Sequence, residues 1–417
     1  MEKKTLIVNY PGLSMGGIEK YLASLMKYAI VQGYRVIWIT TKKGVKESFF
    51  SEISSSPKVE KVFVRRGGFT LIFPIELSND EHITMLSLEP LYFFRAEMLR
   101  HKYCNCASFN HFLILPHFTG NWYYPERFFE NSILYSASSH FFQDMAVKLN
   151  TNDCIRAFSY QHLVKYEQNY NIIIPCKEEL ILKEIQSSPS LCSSMVERHA
   201  EERNEIFNIV TCARLDFPHK GYIIGLVDEV HQLRQKYKQI HLYIIGDGLG
   251  RNIIESKIQE HCEQDFIHVL GYLPPEKAMQ VFFDGHLNIG LAGGLSMGAS
   301  CGLPSLTVRH YTNKCETYGY FSDNIDKALC TEQGLPIADF IKNSIDCPAD
   351  EYCKQSESDY YSIINRKKVD PEYLFKQKNK SYLSPITVRE MLQAVFWNVL
   401  CQYERFVHKK NGYLDNK

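Results

Sequence analysis

The fold is decided by residues 5–40, which read TLIVNYPGLSMGGIEKYLASLMKYAIVQGYRVIWIT. The mainly apolar run Leu6 to Asn9 ends in Tyr10-Pro11-Gly12, which predicts a buried strand followed by a turn. Apolar residues at helical spacing follow and end before Gly33, where a helix C-cap glycine would stand; they are Ile18, Tyr21, Leu22, Leu25, Met26, Ala29 and Ile30. A second apolar run, Tyr34 to Thr40, completes a strand-helix-strand unit. Because both strands are apolar throughout, they predict a parallel sheet covered by helices on both faces.

A second and cleaner series of the same kind begins at Phe207. Strands and helices alternate along it, with predicted strands at Phe207 to Cys212, Leu242 to Ile245, Phe266 to Leu270, Leu287 to Leu291 and Ser305 to Val308. The two series are separated by a charged, serine-rich region at residues 177–205, in which we place the domain boundary. The chain therefore reads as two doubly wound α/β domains in tandem, an N-terminal domain over residues 1–200 and a C-terminal domain over residues 201–383.

A long amphipathic helix closes the chain over residues 384–417. Ser384 is the candidate N-cap and Pro385 stands at the first helical position. One stripe of the helix is apolar and consists of Val388, Met391, Leu392, Val395, Val399, Leu400, Tyr403 and Phe406. Such a stripe needs a hydrophobic surface, and we expect the helix to pack back on the domains, with a membrane interface as the alternative.

Composition excludes several classes of protein. The 417 residues include 47 Lys and Arg against 47 Asp and Glu, so the chain has no global field for nucleic acid or anionic lipid. The 13 cysteines include no C-x-x-C pair, which argues against a disulfide framework and against a metal site. No apolar stretch approaches the roughly 18 residues of a membrane span. We expect a cytoplasmic protein without a nucleic-acid partner, at most in weak peripheral contact with the inner face of the plasma membrane.

In each domain, a candidate anion-binding motif follows the first strand. It is a pair of glycines in the first domain and a pair of cations in the second. Gly16-Gly17 stands at the carboxyl end of a parallel strand, where open α/β sheets bind ligands and where helix N–H groups attract anions. Residues 212–221, CARLDFPHKG, place Arg214 at a strand end and Lys220 before the next helix. Two converging cations suit a diphosphate, which carries adjacent negative charges. The alternatives are an ordinary tight turn for the glycines and solvated surface side chains for the cations.

Three further loops of the second domain carry motifs that are weak one by one. Residues 244–251, IIGDGLGR, form a glycine-rich turn in which Asp247 could cap a helix or touch a ligand. Backbone groups of residues 270–274, LGYLP, could read the edge of a nucleobase, or the segment could be a plain loop. The small residues of 291–304, LAGGLSMGASCGLP, allow either close packing of helix on sheet or close approach of a ligand's sugar and phosphates.

Taken in order, these motifs resemble a retaining glycosyltransferase of the GT-B fold, of the family 4 class (glycosyl transferases group 1) that builds surface polysaccharides. The resemblance lies in Arg214-Leu215 through Lys220-Gly221, 245–248 with Arg251, 269–272, 301–304, and Gly16-Gly17-Ile18-Glu19. It implies two Rossmann-like domains facing a central cleft and a nucleotide-diphosphate sugar donor of the UDP or GDP type. It further implies a glycan or lipid-linked glycan acceptor, as in capsule or O-antigen synthesis, retention of configuration, and no metal or other cofactor.

The resemblance also implies roles for single residues. Arg214 and Lys220 would neutralise the departing diphosphate, and Gly16 and Gly17 would approach it from the first domain. The nucleotide and the sugar would be bound by Gly246, Asp247, Gly271, Tyr272, Leu273, Gly293, Gly294, Ser296 and Met297. A histidine beside the transferred sugar would be His117, with His111 as the second candidate and a packing role as the alternative for both.

One departure from the family pattern concerns its two glutamates in the second domain. Alignment on residues 302–304 puts Ile289 and Met297 at their places, and neither side chain can accept a hydrogen bond from a hydroxyl. Either Ser296 and the backbone of residues 293–296 bind the sugar instead, or donor binding is weakened or lost. The alternatives to a transferase are therefore a catalytically silent GT-B protein that binds a partner or a glycan, and a nucleotide-sugar epimerase, which shares the fold.

Overall fold

The computed structural model describes residues 3–13, 16–64, 73–88, 90–115, 133–182, 191–327, 330–367, 372–381 and 383–410. The chain divides into two compact units. The first unit comprises residues 1–185 together with 369–417, and the second comprises residues 186–368. The C-terminal segment thus belongs to the same unit as the N-terminus, because residues 372–395 pack on the first unit's sheet and helices.

The first unit is built on a six-stranded sheet whose strand pairs are all parallel, in the order β3-β2-β1-β4-β5-β6. The strands are β1 Lys3–Asn9, β2 Arg35–Thr40, β3 Val59–Phe63, β4 Glu81–Leu88, β5 Ser108–Leu115 and β6 Ile155–Ala157. The helices are α1 Gly17–Val31, α2 Lys42–Lys46, α3 Ser51–Ser54, α4 Pro90–Lys102, α5 Ile133–Thr151 and α6 Tyr160–Tyr170, with a 3-10 turn at Lys177–Leu180. The direction of winding reverses between β1 and β4, which is where doubly wound sheets bind ligands.

Alternation along the first strand explains why helices cover both faces of this sheet. Leu6 and Val8 belong to one buried cluster and Ile7 to another, and all three side chains are inaccessible to water. Since neighbouring residues of a strand point to opposite faces, an uninterrupted apolar strand needs a hydrophobic layer on each side. The parallel sheet predicted from residues 5–40 is confirmed.

The second unit has a seven-stranded sheet in the order β13-β12-β11-β10-β7-β8-β9. Its strands are β7 Phe207–Cys212, β8 Ile240–Ile245, β9 Ile267–Gly271, β10 Leu287–Gly290, β11 Ser305–Val308, β12 Glu316–Tyr320 and β13 Leu335–Pro336. Its helices are α7 Ser193–Glu202, α8 Tyr222–Leu233, α9 Arg251–Glu260, α10 Pro275–Phe283, α11 Ala292–Ser300, α12 Ile337–Asp346 and α13 Ala349–Lys367. Short 3-10 turns lie at Phe321–Asp323 and Ile325–Lys327. The five predicted strands are present, and the antiparallel strands β12 and β13 extend the sheet beyond the prediction.

Two helices, α14 Glu372–Lys376 and α15 Val388–Lys410, complete the first unit. Helix α15 begins later than predicted, because Thr387 caps it in place of Ser384. Thr387 Oγ1 accepts the N–H of Glu390 at 3.2 Å, and the Glu390 carboxylate accepts the N–H of Thr387 at 2.9 Å, which is a capping box. Ser384 instead donates its hydroxyl to the Glu97 carboxylate.

The apolar stripe of α15 is divided between core and solvent. Met391 and Val395 pack into the buried cluster formed by α4, α5 and α6. Val388 and Leu392 of the stripe stay 42% and 46% exposed, and Phe396, which lies outside the stripe, is 55% exposed. Within the part of the stripe that the structure describes, Met391 and Val395 thus face the first unit's core, whereas Val388 and Leu392 face water. Among the described helices, none combines the length and the apolar character that a membrane crossing requires.

Candidate functional site

The loop that follows β7 is held in place by the strand beside it. The N–H of Ala213 donates to the carbonyl of Ile245 at 3.0 Å, and the N–H of Leu215 donates to the carbonyl of Asp247 at 3.0 Å. The backbone of Arg214 therefore sits between two fixed hydrogen bonds at the carboxyl edge of the sheet. This is the edge at which parallel sheets bind ligands.

The glycine-rich turn after β8 packs closely against that loop. A Cβ on Gly246 would lie 1.8 Å from the carbonyl oxygen of Ala213, and one on Gly250 would lie 2.3 Å from the ring of Phe217. Gly246 also has φ 143°, a value that L side chains rarely adopt. The spacing of this G-x-G-x-G motif is thus required by contact between two loops, whatever ligand the turn also meets.

Lys220 and Arg214 lie close together in this loop. Lys220 is half-buried in the turn before α8, and burial, followed by repulsion from the nearby Arg214 guanidinium, lowers the pKa of its ammonium to about 8. Among the described residues, no carboxylate forms a salt bridge with Lys220. An anion bound here would relieve both the repulsion and the loss of hydration. The two cations that the sequence singled out are thus near neighbours, and their convergence on a diphosphate stays a prediction.

Arg214 has an acidic neighbour that the sequence analysis did not single out. Its Nε lies 2.6 Å from Oδ2 of Asp216, and both side chains are partly exposed to solvent. Asp216 stands two positions after Arg214, so the sequence contained the pair. A spacing of two residues in a loop does not reveal whether side chains meet, since only the loop's backbone course brings them together.

Residues 271–273 join the same edge through β9. The N–H of Gly246 donates to the carbonyl of Gly271 at 2.8 Å, and Gly271 has φ 69°. Tyr272 is partly exposed, whereas Leu273 packs against the buried cluster that contains Phe282 and Cys301. Asp247 accepts the N–H of Gly248 at 2.8 Å and lies 3.5 Å from Arg251 Nη1, so its carboxylate stabilises the turn.

The small residues at the start of α11 differ in their surroundings. A Cβ on Gly294 would lie 2.1 Å from the carbonyl of Cys212, so this glycine lets the helix pack on the end of β7. A Cβ on Gly293 would meet no atom of the described residues within 4 Å, its neighbours along the helix excepted, so this backbone position is open within the part of the chain that is described. Ala292 between strand and helix has φ 48°, a strained value for a residue with a side chain. Ser296 and Met297 follow on the same helix, half-buried.

The positions of the two absent glutamates are occupied by apolar packing residues. Ile289 is fully buried in the main core of the second unit. Met297 is half-buried and packs against the cluster that contains Phe282 and Cys301. Neither residue offers a polar group at this edge of the sheet. No group of three or more His, Cys, Asp or Glu side chains suited to a metal ion occurs in the described part of the chain.

Gly16 and Gly17 in the first unit have different environments. A Cβ on Gly16 would lie 2.2 Å from Oε2 of Glu19, whose carboxylate folds back over the start of α1 and accepts the hydroxyl of Tyr10 at 2.9 Å. Around Gly17, no described residue other than its neighbours along the helix places an atom within 4 Å of a Cβ position. The glycine-glycine-x-glutamate motif therefore combines a glycine in close contact with the Glu19 carboxylate and an open backbone position at a helix N-terminus.

The two histidine candidates are His111 and His117. His117 lies outside the described residues. His111 is fully buried in the middle of β5, with Nδ1 2.5 Å from Glu97, Nε2 2.8 Å from Ser87 Oγ, and its ring stacked on Phe93 at 4.0 Å. Burial lowers the pKa of this imidazole, although the Glu97 carboxylate opposes the shift. His111 thus fits the packing and hydrogen-bonding alternative.

Comparison with known proteins identifies the fold. No protein-family model matches the sequence, and no curated protein matches it. A glycosyltransferase from Rickettsia africae has a similar structure, with TM-score 0.59 and 14% identity over 90% of this chain and 97% of that chain. Anabaena HepE in complex with UDP is also similar, with TM-score 0.55 and 13% identity over 90% of this chain and 98% of that chain. The N-terminal domain of Candida albicans trehalose-6-phosphate phosphatase has TM-score 0.55 and 12% identity over 94% of this chain and 97% of that chain. The predicted GT-B fold is confirmed, whereas membership of family 4 stays a prediction.

Proposed function

We propose that this chain is a glycosyltransferase that moves a sugar from a nucleotide-diphosphate donor, of the UDP or GDP type, to a glycan or lipid-linked glycan. The observation that carries the proposal is the pair Arg214 and Lys220 at the carboxyl edge of the second unit's sheet. The fold supports it, since Anabaena HepE, which has a similar structure, binds UDP and UDP-glucose.

The two cations fit the chemistry of sugar transfer. Breaking the bond between the sugar and the diphosphate leaves an oxocarbenium-like sugar, and the departing diphosphate gains one negative charge. Fixed positive charge at the place where negative charge develops stabilises the transition state more than the ground state. Arg214 supplies a fork of N–H donors and Lys220 a compact charge, which together match two neighbouring phosphates.

Other predicted residues take supporting roles in this proposal. Gly293, with open space around it, allows the donor's sugar or phosphate to approach the backbone at the start of α11, next to Ser296. Gly271, Tyr272 and Leu273 hold the base through backbone groups. Gly17 is the candidate for backbone contact with an anion in the first unit. Retention of configuration, independence from metal and a cytoplasmic role in surface-polysaccharide synthesis belong to the proposal as well.

The test measures donor hydrolysis and transfer for a panel of UDP- and GDP-sugars after Arg214→Ala and Lys220→Ala. We expect each substitution to lower the rate by about a hundredfold or more, as removal of one preorganised donor does elsewhere. Lys238→Ala, at an exposed position of the same unit, is the matched control and should leave the rate unchanged. Unchanged rates for both site variants would refute the assignment of the diphosphate site.

A second candidate function is a catalytically silent GT-B protein that binds a partner or a glycan. The observation in its favour is that Ile289 and Met297 present no polar group where the family pattern has glutamates. Calorimetry with the same panel separates the two functions. Binding and turnover of no nucleotide sugar, in a folded protein with Arg214 intact, would favour the silent protein.

A further inference from the structure

Asp216 contacts both cationic residues of the site. Its carboxylate lies 2.6 Å from Arg214 Nε, and its own N–H donates to the carbonyl of Arg214 at 2.8 Å. The N–H of Lys220 donates to the carbonyl of Asp216 at 3.0 Å. Among the described residues, Asp216 is thus the acidic side chain paired with the Arg214 guanidinium, and its backbone links the two cations.

The geometry leaves part of the Arg214 guanidinium available. A guanidinium has five N–H donors in a rigid plane, one on Nε and the others on the two terminal nitrogens. Asp216 engages Nε. No described residue forms a hydrogen bond with the terminal nitrogens of Arg214. These nitrogens are the ones that form two parallel hydrogen bonds to phosphate oxygens.

We propose that Asp216 is a positioning residue for the diphosphate. It fixes Arg214 through Nε, so that the terminal nitrogens of the guanidinium face the anion beside Lys220. This inference rests on the proposed function, because it assigns a role within the same site.

Asp216 affects anion binding in two opposite ways. Which effect is larger decides whether removal of Asp216 weakens or strengthens binding. By holding Arg214 it removes the torsional freedom that a long side chain would otherwise lose on binding. By its own charge it repels the anion, but both partners are partly exposed, so solvent and salt screen the repulsion. Positioning therefore predominates, and removal of Asp216 weakens binding.

The experiment is calorimetric titration of the full chain with UDP, GDP and inorganic pyrophosphate, the last of which carries the charge without a base. We expect Asp216→Ala to raise the Kd of each ligand that the wild type binds by about tenfold, and Asp216→Asn, which keeps the hydrogen-bond acceptor, to recover part of the loss. Asp265→Asn, an exposed carboxylate of the same unit, controls for net charge and should change nothing. Tighter or unchanged binding by Asp216→Ala would overturn the proposal.

NMR measurement of hydrogen exchange at the Arg214 Nε–Hε group tests the positioning role separately from stability. The resonance is assigned by its loss in Arg214→Lys, and a purely structural role of Asp216 would leave its exchange rate unchanged. We expect slow exchange with water in the wild type, with and without UDP, and fast exchange in Asp216→Ala. Release of the Nε contact when UDP binds would identify Asp216 as a competitor of the anion and overturn the proposal. The two failures are distinguishable: if Arg214→Ala and Lys220→Ala bind pyrophosphate and UDP like the wild type, the proposed function itself fails.

Discussion

Lys220 is a residue whose charge depends on its neighbours, and this makes ligand binding sensitive to pH. Its pKa of about 8 in the free protein must rise when a diphosphate approaches, because the anion favours the charged ammonium. Binding above about pH 8 therefore takes up a proton, and affinity falls as the pH rises through about 8. We expect roughly tenfold weaker binding of UDP at about pH 9 than at about pH 7.

Calorimetry in buffers of different ionisation enthalpy measures the proton uptake directly. Lys220→Arg provides the matched control, because a guanidinium stays charged over this range and should flatten the pH profile. A wild-type affinity that does not change between about pH 7 and about pH 9, where the fraction of charged Lys220 changes most, would contradict the prediction.

Two glycines of the second unit illustrate how differently the same residue type behaves. At Gly246 an added Cβ would collide with the carbonyl of Ala213, and the φ of 143° is itself unfavourable. At Gly293 an added Cβ meets open space on a helix. We expect Gly246→Ala to lower the free energy of unfolding by about 2 to 4 kcal/mol, and Gly293→Ala to leave it unchanged or raise it by up to about 1 kcal/mol.

Chemical denaturation measures both stabilities, and titration with a nucleotide sugar provides the second readout. If Gly293 serves the donor, Gly293→Ala should weaken binding although the fold is intact. Equal destabilisation by the two substitutions would show that the contact at Ala213 does not decide the identity of residue 246.

At the scale of elements, the C-terminal segment behaves as part of the first unit's sheet layer. Asn379 accepts the N–H of His111 at 2.7 Å, and its own N–H donates to Oδ1 of Asn110 at 3.0 Å. All these groups are buried. We expect Asn379→Ala to lower the free energy of unfolding by about 2 to 3 kcal/mol, because it leaves a buried backbone N–H without an acceptor.

Thermal and denaturant unfolding test this, with Asn252→Ala at an exposed helical position as the control. Loss of stability in the first unit while the second unfolds as in the wild type is the expected pattern. A variant as stable as the wild type would show that the segment is only loosely attached.

The sequence predicted elements with a local signal and missed those that depend on distant contacts. Strands β1, β2 and β7 are short apolar runs between turns, so their burial can be read from their own residues. Strand β12, ETYGY, alternates between half-buried and buried positions at the antiparallel side of its sheet, and no apolar run marks it. Asn379 and Asn110 form a hydrogen bond although they are 269 positions apart in the chain, and no local sequence pattern predicts such a contact.

At the scale of the whole molecule, the same distinction applies to function. The chain carries no net charge, yet one loop holds Arg214 and Lys220 near each other, with the Asp216 carboxylate beside Arg214. Charge type and order along the chain predicted that pair. The pairing of Arg214 with Asp216 and the packing reason for Gly246 could not be predicted, since both depend on how neighbouring loops meet.

At pH 7, with neutral histidines, the chain carries no net charge, so the first acid-sensitive groups to consider are buried ones whose pKa is shifted. In the second unit, burial and then the neighbouring His199 lower the pKa of His286 to about 3, whereas burial raises the pKa of Asp359 to about 6. The unfolded chain protonates His286 below its ordinary value of 6.5 while the folded chain does not. Stability that is present above that pH is therefore lost as the pH falls.

Asp359 acts in the opposite direction, because the folded state takes up its proton between about pH 6 and its ordinary value of 3.8. The shift at His286 is the larger and begins at the higher pH, so its effect should predominate around pH 6, where it approaches roughly 1 kcal/mol per pH unit. His286→Asn keeps an acceptor for the N–H of Asn208 but cannot titrate. We expect this variant to lose clearly less stability than the wild type when denaturant unfolding is compared at about pH 7 and about pH 5.5. His140→Asn, at an exposed position of the first unit, should follow the wild type. An equal loss in wild type and His286→Asn would place the acid sensitivity elsewhere in the chain.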